Sequence, residues 1–168
     1  MKKIGLLSDT HGHMDDRILE HLKDCDEVWH AGDIGNIRVA DCLSESHLLK
    51  AVYGNIDGRD VRLVWPQHQR FFCEEVEVWM THIGGYPGRY EAHVKPDIFQ
   101  NPPKLFVSGH SHILKVIYDE KLDLLHINPG AAGNIGFHKV RTMIRFVIDG
   151  SNIRDLEVIE LGPRILNS

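Results

Sequence analysis

The sequence predicts an α/β protein made of two packed β-sheets flanked by helices, and two features of its pattern carry that expectation. In the first half, short apolar runs that read as strands alternate with segments whose apolar residues recur at helical spacing, as in βαβ units and a parallel sheet. In the second half, apolar runs follow one another across tight polar turns, as in consecutive antiparallel strands. The chain has 168 residues, 42% hydrophobic and 26% charged, which suffices to bury such a core as one domain over residues 1–168.

The first strand is KIGLLS (3–8), an apolar run closed by a polar turn. A helix follows in MDDRILEHLKDC (14–25), where Ile18, Leu19 and Leu22 share a face behind an acidic first turn. EVWHAG (27–32) and LLKAVYG (48–54) repeat the strand pattern. NIRVADCLSE (36–45), between them, repeats the helical one, with Asn36 as N-cap. QRFFCEEVEVWMTH (69–82) reads as paired strands, RYEAHVKPDIFQ (89–100) as a helix or helix-bearing loop, and KLFVSG (104–109) as another buried strand. ILKVIYDEKLDLLHINPG (113–130), VRTMIRFVIDG (140–150) and NIRDLEVIEL (152–161) read as successive antiparallel strands.

Composition narrows the function classes. A net charge of −5 argues against a general nucleic-acid or acidic-membrane binder, which carries a basic patch or stripe. Cys25, Cys42 and Cys73 are odd in number and have no metal-ligand spacing, so the expectation is free thiols in a reducing cytoplasm. The apolar stretch after the initial MKK ends at Ser8 and Asp9, too early for a signal peptide, and no run approaches a membrane span. Self-association is left open. The anomaly is the histidine content, 12 residues, because neutral imidazole is the commonest metal ligand among side chains.

Ligands of open α/β sheets bind beyond the carboxyl ends of the strands. There, five apolar runs end in metal-competent groups: Asp9 and His11 in SDTHG, Asp33 in HAGDIG, Asn55 in YGNID, His82 in VEVWMTH, and His110 and His112 in GHSH. Taken singly, each is an ordinary turn dipeptide or surface histidine. Together they would crowd polar groups that need water, protons or a cation. Seven ligands are too many for one tetrahedral zinc and suit two ions of higher coordination number. The mixed nitrogen and oxygen donors, without thiolate, suit manganese, iron or zinc better than calcium or magnesium alone.

This order of motifs, DxH, GD, GN, a lone histidine and GHxH, resembles the calcineurin-like metallophosphoesterase superfamily. The resemblance runs from Asp9 to about Gly130, where NPGA is similar to the family's turn after the last ligand segment. In its shortness the chain resembles the small bacterial and archaeal phosphodiesterases of that superfamily. The resemblance implies a four-layer αββα sandwich. It also implies two divalent ions, manganese first, with iron, zinc or nickel as alternatives. Asp9, His11 and His112 would hold one; Asn55, His82 and His110 the other; Asp33 would bridge. Gly109 would let the backbone pass close to the ions.

The activity so implied is phosphodiester hydrolysis of a small phosphate ester, by attack of a hydroxide bridging the two ions on phosphorus. The alternatives are a phosphomonoesterase acting on a nucleotide or sugar phosphate, and a protein-interaction scaffold of the same fold. Many relatives carry a histidine after the GN pair, where this chain has Ile56, which puts efficient hydrolysis of monoesters with poor leaving groups in doubt. His13 is then the first candidate for the general acid and His138 a second; both also read as surface or satisfied core histidines. Arg59 and Arg89 are candidate phosphate contacts. GGYPG (84–88) reads as a loop beside His82 that shapes substrate choice, or as a simple turn.

Overall fold

The computed structural model describes residues 1–165. In chain order the elements are β1 (Lys2–Leu7), α1 (Asp16–Leu22), β2 (Glu27–His30), α2 (Ile37–Ser46), β3 (Leu48–Ala51), α3 (Arg59–Val64), β4 (His68–Cys73) and β5 (Val76–Thr81). They continue with β6 (Gly85–Tyr86), β7 (Arg89–Tyr90), α4 (Lys95–Gln100), β8 (Leu105–Val107), β9 (Lys115–Asp119), β10 (Leu124–Asn128), β11 (Val140–Asp149) and β12 (Asn152–Pro163). One sheet has the order β12-β11-β1-β2-β3 and the other β4-β5-β8-β10-β9. β1, β2 and β3 are mutually parallel, and β8 runs parallel to both β5 and β10.

The central strands are apolar almost throughout because each is covered on both faces, whereas the edge strands β4, β9 and β12 carry polar, exposed residues. Ile4 and Leu6 of β1 and Trp29 of β2 face the second sheet, packing with Val78, Met80, Val107 and Ile127. Their neighbours Leu7 and Val28 face the other way, onto Ile18 and Leu22 of α1 and Val39 and Leu43 of α2. On the far side of the second sheet, Trp79 and Phe106 pack against Val94 and Ile98 at α4. Alternation along the strands thus builds a helix–sheet–sheet–helix stack, the predicted fold class. Each such side chain, once fully buried, contributes about 2 kcal/mol.

The helix starts follow the capping chemistry. Asp15 Oδ1 accepts from Ile18 N at 3.1 Å, and Asn36 Oδ1 accepts from Arg38 N at 3.0 Å, so Asn36 caps α2 as predicted. Three features differ from the sequence reading. The short α3 was not expected, because six residues after a glycine with no side-chain cap show no helical period. Arg89–Tyr90 pairs with Gly85–Tyr86 as a two-stranded ribbon that the sequence did not announce, while the rest of 89–100 is the expected helix-bearing loop, helical over Lys95–Gln100. The two C-terminal hairpins also belong to different sheets, β9–β10 to the second and β11–β12 to the first. Among the described residues, no helix is long and apolar enough to cross a membrane.

Candidate metal centre

The seven side chains singled out at the strand ends come together at one edge of the sandwich. The loops after β1 and β2 stay zipped beyond the strands, through Asp9 N to Gly32 O at 2.9 Å and His11 N to Asp33 O at 3.0 Å. In the second sheet Gly109 N donates to His82 O at 3.0 Å, joining the loops after β8 and β5. Five of the seven residues take the left-handed backbone that side chains other than glycine rarely adopt: Asp9 (φ 55°), His11 (47°), Asp33 (54°), His110 (71°) and His112 (59°). Such conformations cost about 1–3 kcal/mol each and persist where the surroundings enforce them. Here the zipped loops do so. Gly109 is required by space: a Cβ there would stand 2.3 Å from Ser8 Oγ and 2.8 Å from Asp9 Oδ2.

Two groups of donors result, Asp9–His11–His112 and Asp33–His82–His110, and in each the donor atoms lie within 4.8 Å of one another. His112 Nε2 is 3.1 Å from Asp9 Oδ1 in the first, and His82 Nε2 is 3.2 Å from Asp33 Oδ2 in the second. The same Asp33 oxygen is 3.4 Å from His11 Nε2, so it stands between the two groups. Asn55 Oδ1 lies 3.0 Å from His110 Nδ1 and thereby joins the second group. Both groups draw residues from both sheets.

Each carboxylate is tethered by one oxygen and presents the other. Asp9 Oδ2 accepts from Ser8 Oγ at 2.6 Å and His110 N at 3.1 Å, while Asp33 Oδ1 accepts from Ile56 N at 3.1 Å. The imidazoles are oriented in the same way. His82 Nδ1–H donates to the Ala31 carbonyl at 2.7 Å, leaving Nε2 bare. His138 Nε2–H donates to the Gly133 carbonyl at 2.8 Å, so its Nδ1 accepts from His112 Nδ1–H at 3.2 Å and His112 Nε2 is bare too. Partners of this kind fix the tautomer of metal-ligating histidines.

What remains is a set of buried polar atoms without hydrogen-bond partners: Asp9 Oδ1, His11 Nε2 and His82 Nε2. Such atoms are rare in folded proteins and call for an explanation. Burial alone would raise the pKa of Asp9, but His11 and His112 outweigh it and hold the carboxyl far below the usual range; His11 and His82 do the same for Asp33. In return Asp33, then Asp9, push His11 up to about 9, and Asp33 raises His82 against the effect of its burial. The cluster therefore demands positive charge, from protons or from cations. Two ligands bound at ~2.1 Å to one ion, roughly at right angles, stand ~3 Å apart. The observed separations of 3.0 to 3.4 Å fit that arrangement.

The remaining sequence candidates fall differently. His13 Nε2 pairs with Asp15 Oδ2 at 2.9 Å and its Nδ1 faces Asn134 Nδ2 at 3.5 Å, so both ring nitrogens are engaged away from the seven donors. Arg59 is exposed at the start of α3. One turn further, Arg62 reaches the Asn55 loop through the carbonyls of Gly54 and Asn55, both at 3.4 Å, and stacks 4.5 Å over Tyr53. Arg89 lines a cavity next to His110, and residues 84–86 of the GGYPG loop form one wall of it. Ile56 is 47% exposed beside Asn55.

Sequence reasoning missed the supporting residues. Ser8 steadies Asp9, and buried Asp57 gathers the amides of Ile34, Gly35 and Gly54 at 3.1, 2.7 and 2.7 Å. The only hint was position, since both flank ligand motifs. His138, singled out in the sequence as a second candidate acid, stands instead against His112, a pairing for which the sequence had no local signal.

Residues 1–151 match the model of the calcineurin-like phosphoesterase superfamily domain. A phosphodiesterase of Methanocaldococcus jannaschii is 28% identical over 144 residues, covering 76% of this chain and 82% of its own. Among solved structures, one described as a novel archaeal phosphodiesterase superposes with a TM-score of 0.75 at 22% identity, over 95% of this chain and 99% of that one. Vps29 of Chaetomium thermophilum superposes at 0.73 with 15% identity, over 97% and 100%. With the family model covering nearly the whole chain and the fold and donor set in agreement, this protein belongs to the calcineurin-like phosphoesterase superfamily.

Proposed function

We propose that the chain is a metal-dependent phosphodiesterase with a two-ion centre. Asp9, His11 and His112 hold one ion, Asn55, His82 and His110 the other, and Asp33 bridges them. The observation that carries this reading is the convergence of two unpartnered buried imidazole nitrogens, His11 Nε2 and His82 Nε2, on Asp33 Oδ2 at 3.4 and 3.2 Å and on the equally unpartnered Asp9 Oδ1 at 3.9 and 3.8 Å. Imidazole and carboxylate donors without thiolate favour manganese, with iron, zinc or nickel as alternatives. Free Cys25, Cys42 and Cys73 support a reducing, cytoplasmic setting.

When bound, a pair of divalent ions activates water at neutral pH and offsets charge on the attacking and leaving oxygens of an in-line displacement. The chain's own residues define what is displaced. His110 is exposed and marks the open side through which a phosphate ester enters. Arg62, at the Asn55 loop, adds a fixed cation near that entrance. Ile56 supplies no proton to a poor leaving group, which favours diesters over monoesters. The diester preference also agrees with the name of the Methanocaldococcus relative.

The test is elemental analysis of protein loaded with Mn²⁺, alongside hydrolysis of bis(p-nitrophenyl) phosphate before and after chelation. About two ions per chain, with activity lost to chelator and restored by Mn²⁺, is the expected result. Full activity in metal-free protein would overturn the reading.

A further inference from the structure

A cavity of about 230 Å³ adjoins His110, between the β6–β7 ribbon and the ends of β8 and β10. It is smaller than the ~300–1,000 Å³ of drug-sized ligand pockets, so it suits one small substituent. We propose that it is a subsite for a small hydroxyl-bearing alcohol group, a polyol or sugar fragment, esterified to the phosphate; this rests on the phosphodiesterase reading of the neighbouring donors.

Two polar groups in its wall carry the argument, of which one, on His126, is buried without a partner. His126 lines the cavity and is fully buried, and its Nε2 has no hydrogen-bond partner. Its Nδ1–H donates to the Phe106 carbonyl at 3.1 Å, which makes Nε2 an acceptor. Burial holds the ring's pKa down to about 4, so it is neutral at physiological pH. An acceptor of this kind answers a hydroxyl proton. Ser111 supplies the complement. Its Oγ accepts from Asn128 Nδ2 at 3.1 Å and Ile113 N at 3.2 Å, which leaves its own proton free to be donated. A polyol both donates and accepts, and an alkyl or aryl group does neither. Arg89, Lys115 and Glu91 stand in the lining as well, with Lys115 held 3.4 Å over the Tyr86 ring, so the cavity's charge balance disfavours a cationic alcohol.

The experiment is calorimetric titration of Mn²⁺-equilibrated protein with glycerol 3-phosphate and with ethyl phosphate, which share a phosphate monoester and differ in hydroxyls. Glycerol 3-phosphate should bind at least tenfold more tightly. That ratio should fall below about threefold in His126→Phe and in Ser111→Ala; if His126→Phe does not fold, Ser111→Ala carries the test on its own. Equal affinities in the wild type, or a ratio unchanged in the folded variants, would overturn the subsite. If hydrolysis of bis(p-nitrophenyl) phosphate persists in that case, the subsite alone fails. If neither phosphate binds and no diester is hydrolysed, the subsite falls together with the phosphodiesterase reading.

Discussion

The imidazoles of His112 and His138 meet Nδ1 to Nδ1 at 3.2 Å, and the second nitrogen of His138 is committed to the Gly133 carbonyl. The contact leaves His112 one tautomer, with Nε2 turned toward Asp9. Replacing His138 with Phe removes the acceptor and frees the ring of His112. Outer partners of ligating histidines are worth about 10–100-fold in metal affinity. Competition against a fluorescent chelator should show a loss of that size in His138→Phe, and an unaltered affinity would refute the orienting role.

Asp33 uses its two oxygens differently, one bound to the Ile56 amide and one standing between the two donor groups. Asp33→Asn keeps the shape and the Ile56 bond but removes the shared negative charge. Metal-supported diester hydrolysis should fall by about a thousandfold, matching several kcal/mol of lost charge stabilisation. Metal content should drop below two ions per chain. A variant that retains both full loading and full rate would show that Asp33 does not bridge.

Ile56 lies on the exposed rim next to Asn55. Ile56→His places a proton donor there while its backbone amide still holds Asp33. Rates on p-nitrophenyl phosphate and bis(p-nitrophenyl) phosphate should then shift toward the monoester, by about tenfold or more given the usual ~10²–10⁴ worth of a positioned acid. No change in their ratio would mean that proton supply at this position is irrelevant.

Acid should weaken the fold through two neutral histidines. Burial, against the pull of Asp57 and Asp9, holds His30 down to about 4, and His126 sits at about 4 for the same cause with Lys115 adding to it. His30 Nδ1 accepts from Gly32 N at 3.1 Å, a bond that protonation would break. Above pH 6.5 both groups are neutral whether folded or unfolded and give no slope. Between 6.5 and 4 the unfolded chain takes up protons that the folded chain refuses, so stability falls as pH falls, by at most about 3 kcal/mol per group. Urea unfolding of chelator-treated protein at pH 7, 6 and 5 should show this decline, and His126→Phe should make it shallower. Equal slopes in the two proteins would contradict the assignment to His126.

The ligand residues were legible because each closes an apolar run, and run ends on parallel strands share one edge. Their backbone was not, since nothing in an Asp or His announces a positive φ; the conformation comes from zippering between loops distant in sequence, such as Asp9 to Gly32 and His11 to Asp33. The pairing of His138, which the sequence offered only as a candidate acid, was not legible for a related reason. Its partner His112 lies 26 residues upstream, on a segment that belongs to the other sheet. Arg62 was passed over for Arg59 because a six-residue helix gives no periodicity from which to choose a face. The crossing of the chain between sheets after β10 was hidden because nothing in two successive hairpin sequences says which sheet each one joins.

Since Asp9 and His11 stand on one sheet and His112 on the other, and Asp33 likewise opposes His82 and His110, any ion seated there clasps two layers whose interior contact is apolar packing, with a few hydrogen bonds such as His82 Nδ1 to the Ala31 carbonyl at their edges. The melting temperature should therefore climb with the logarithm of free metal. Chelation should let this edge of the sandwich breathe, seen as faster amide exchange at residues 9–13, 32–35 and 109–112, while the turn at 150–151 keeps its protection unchanged.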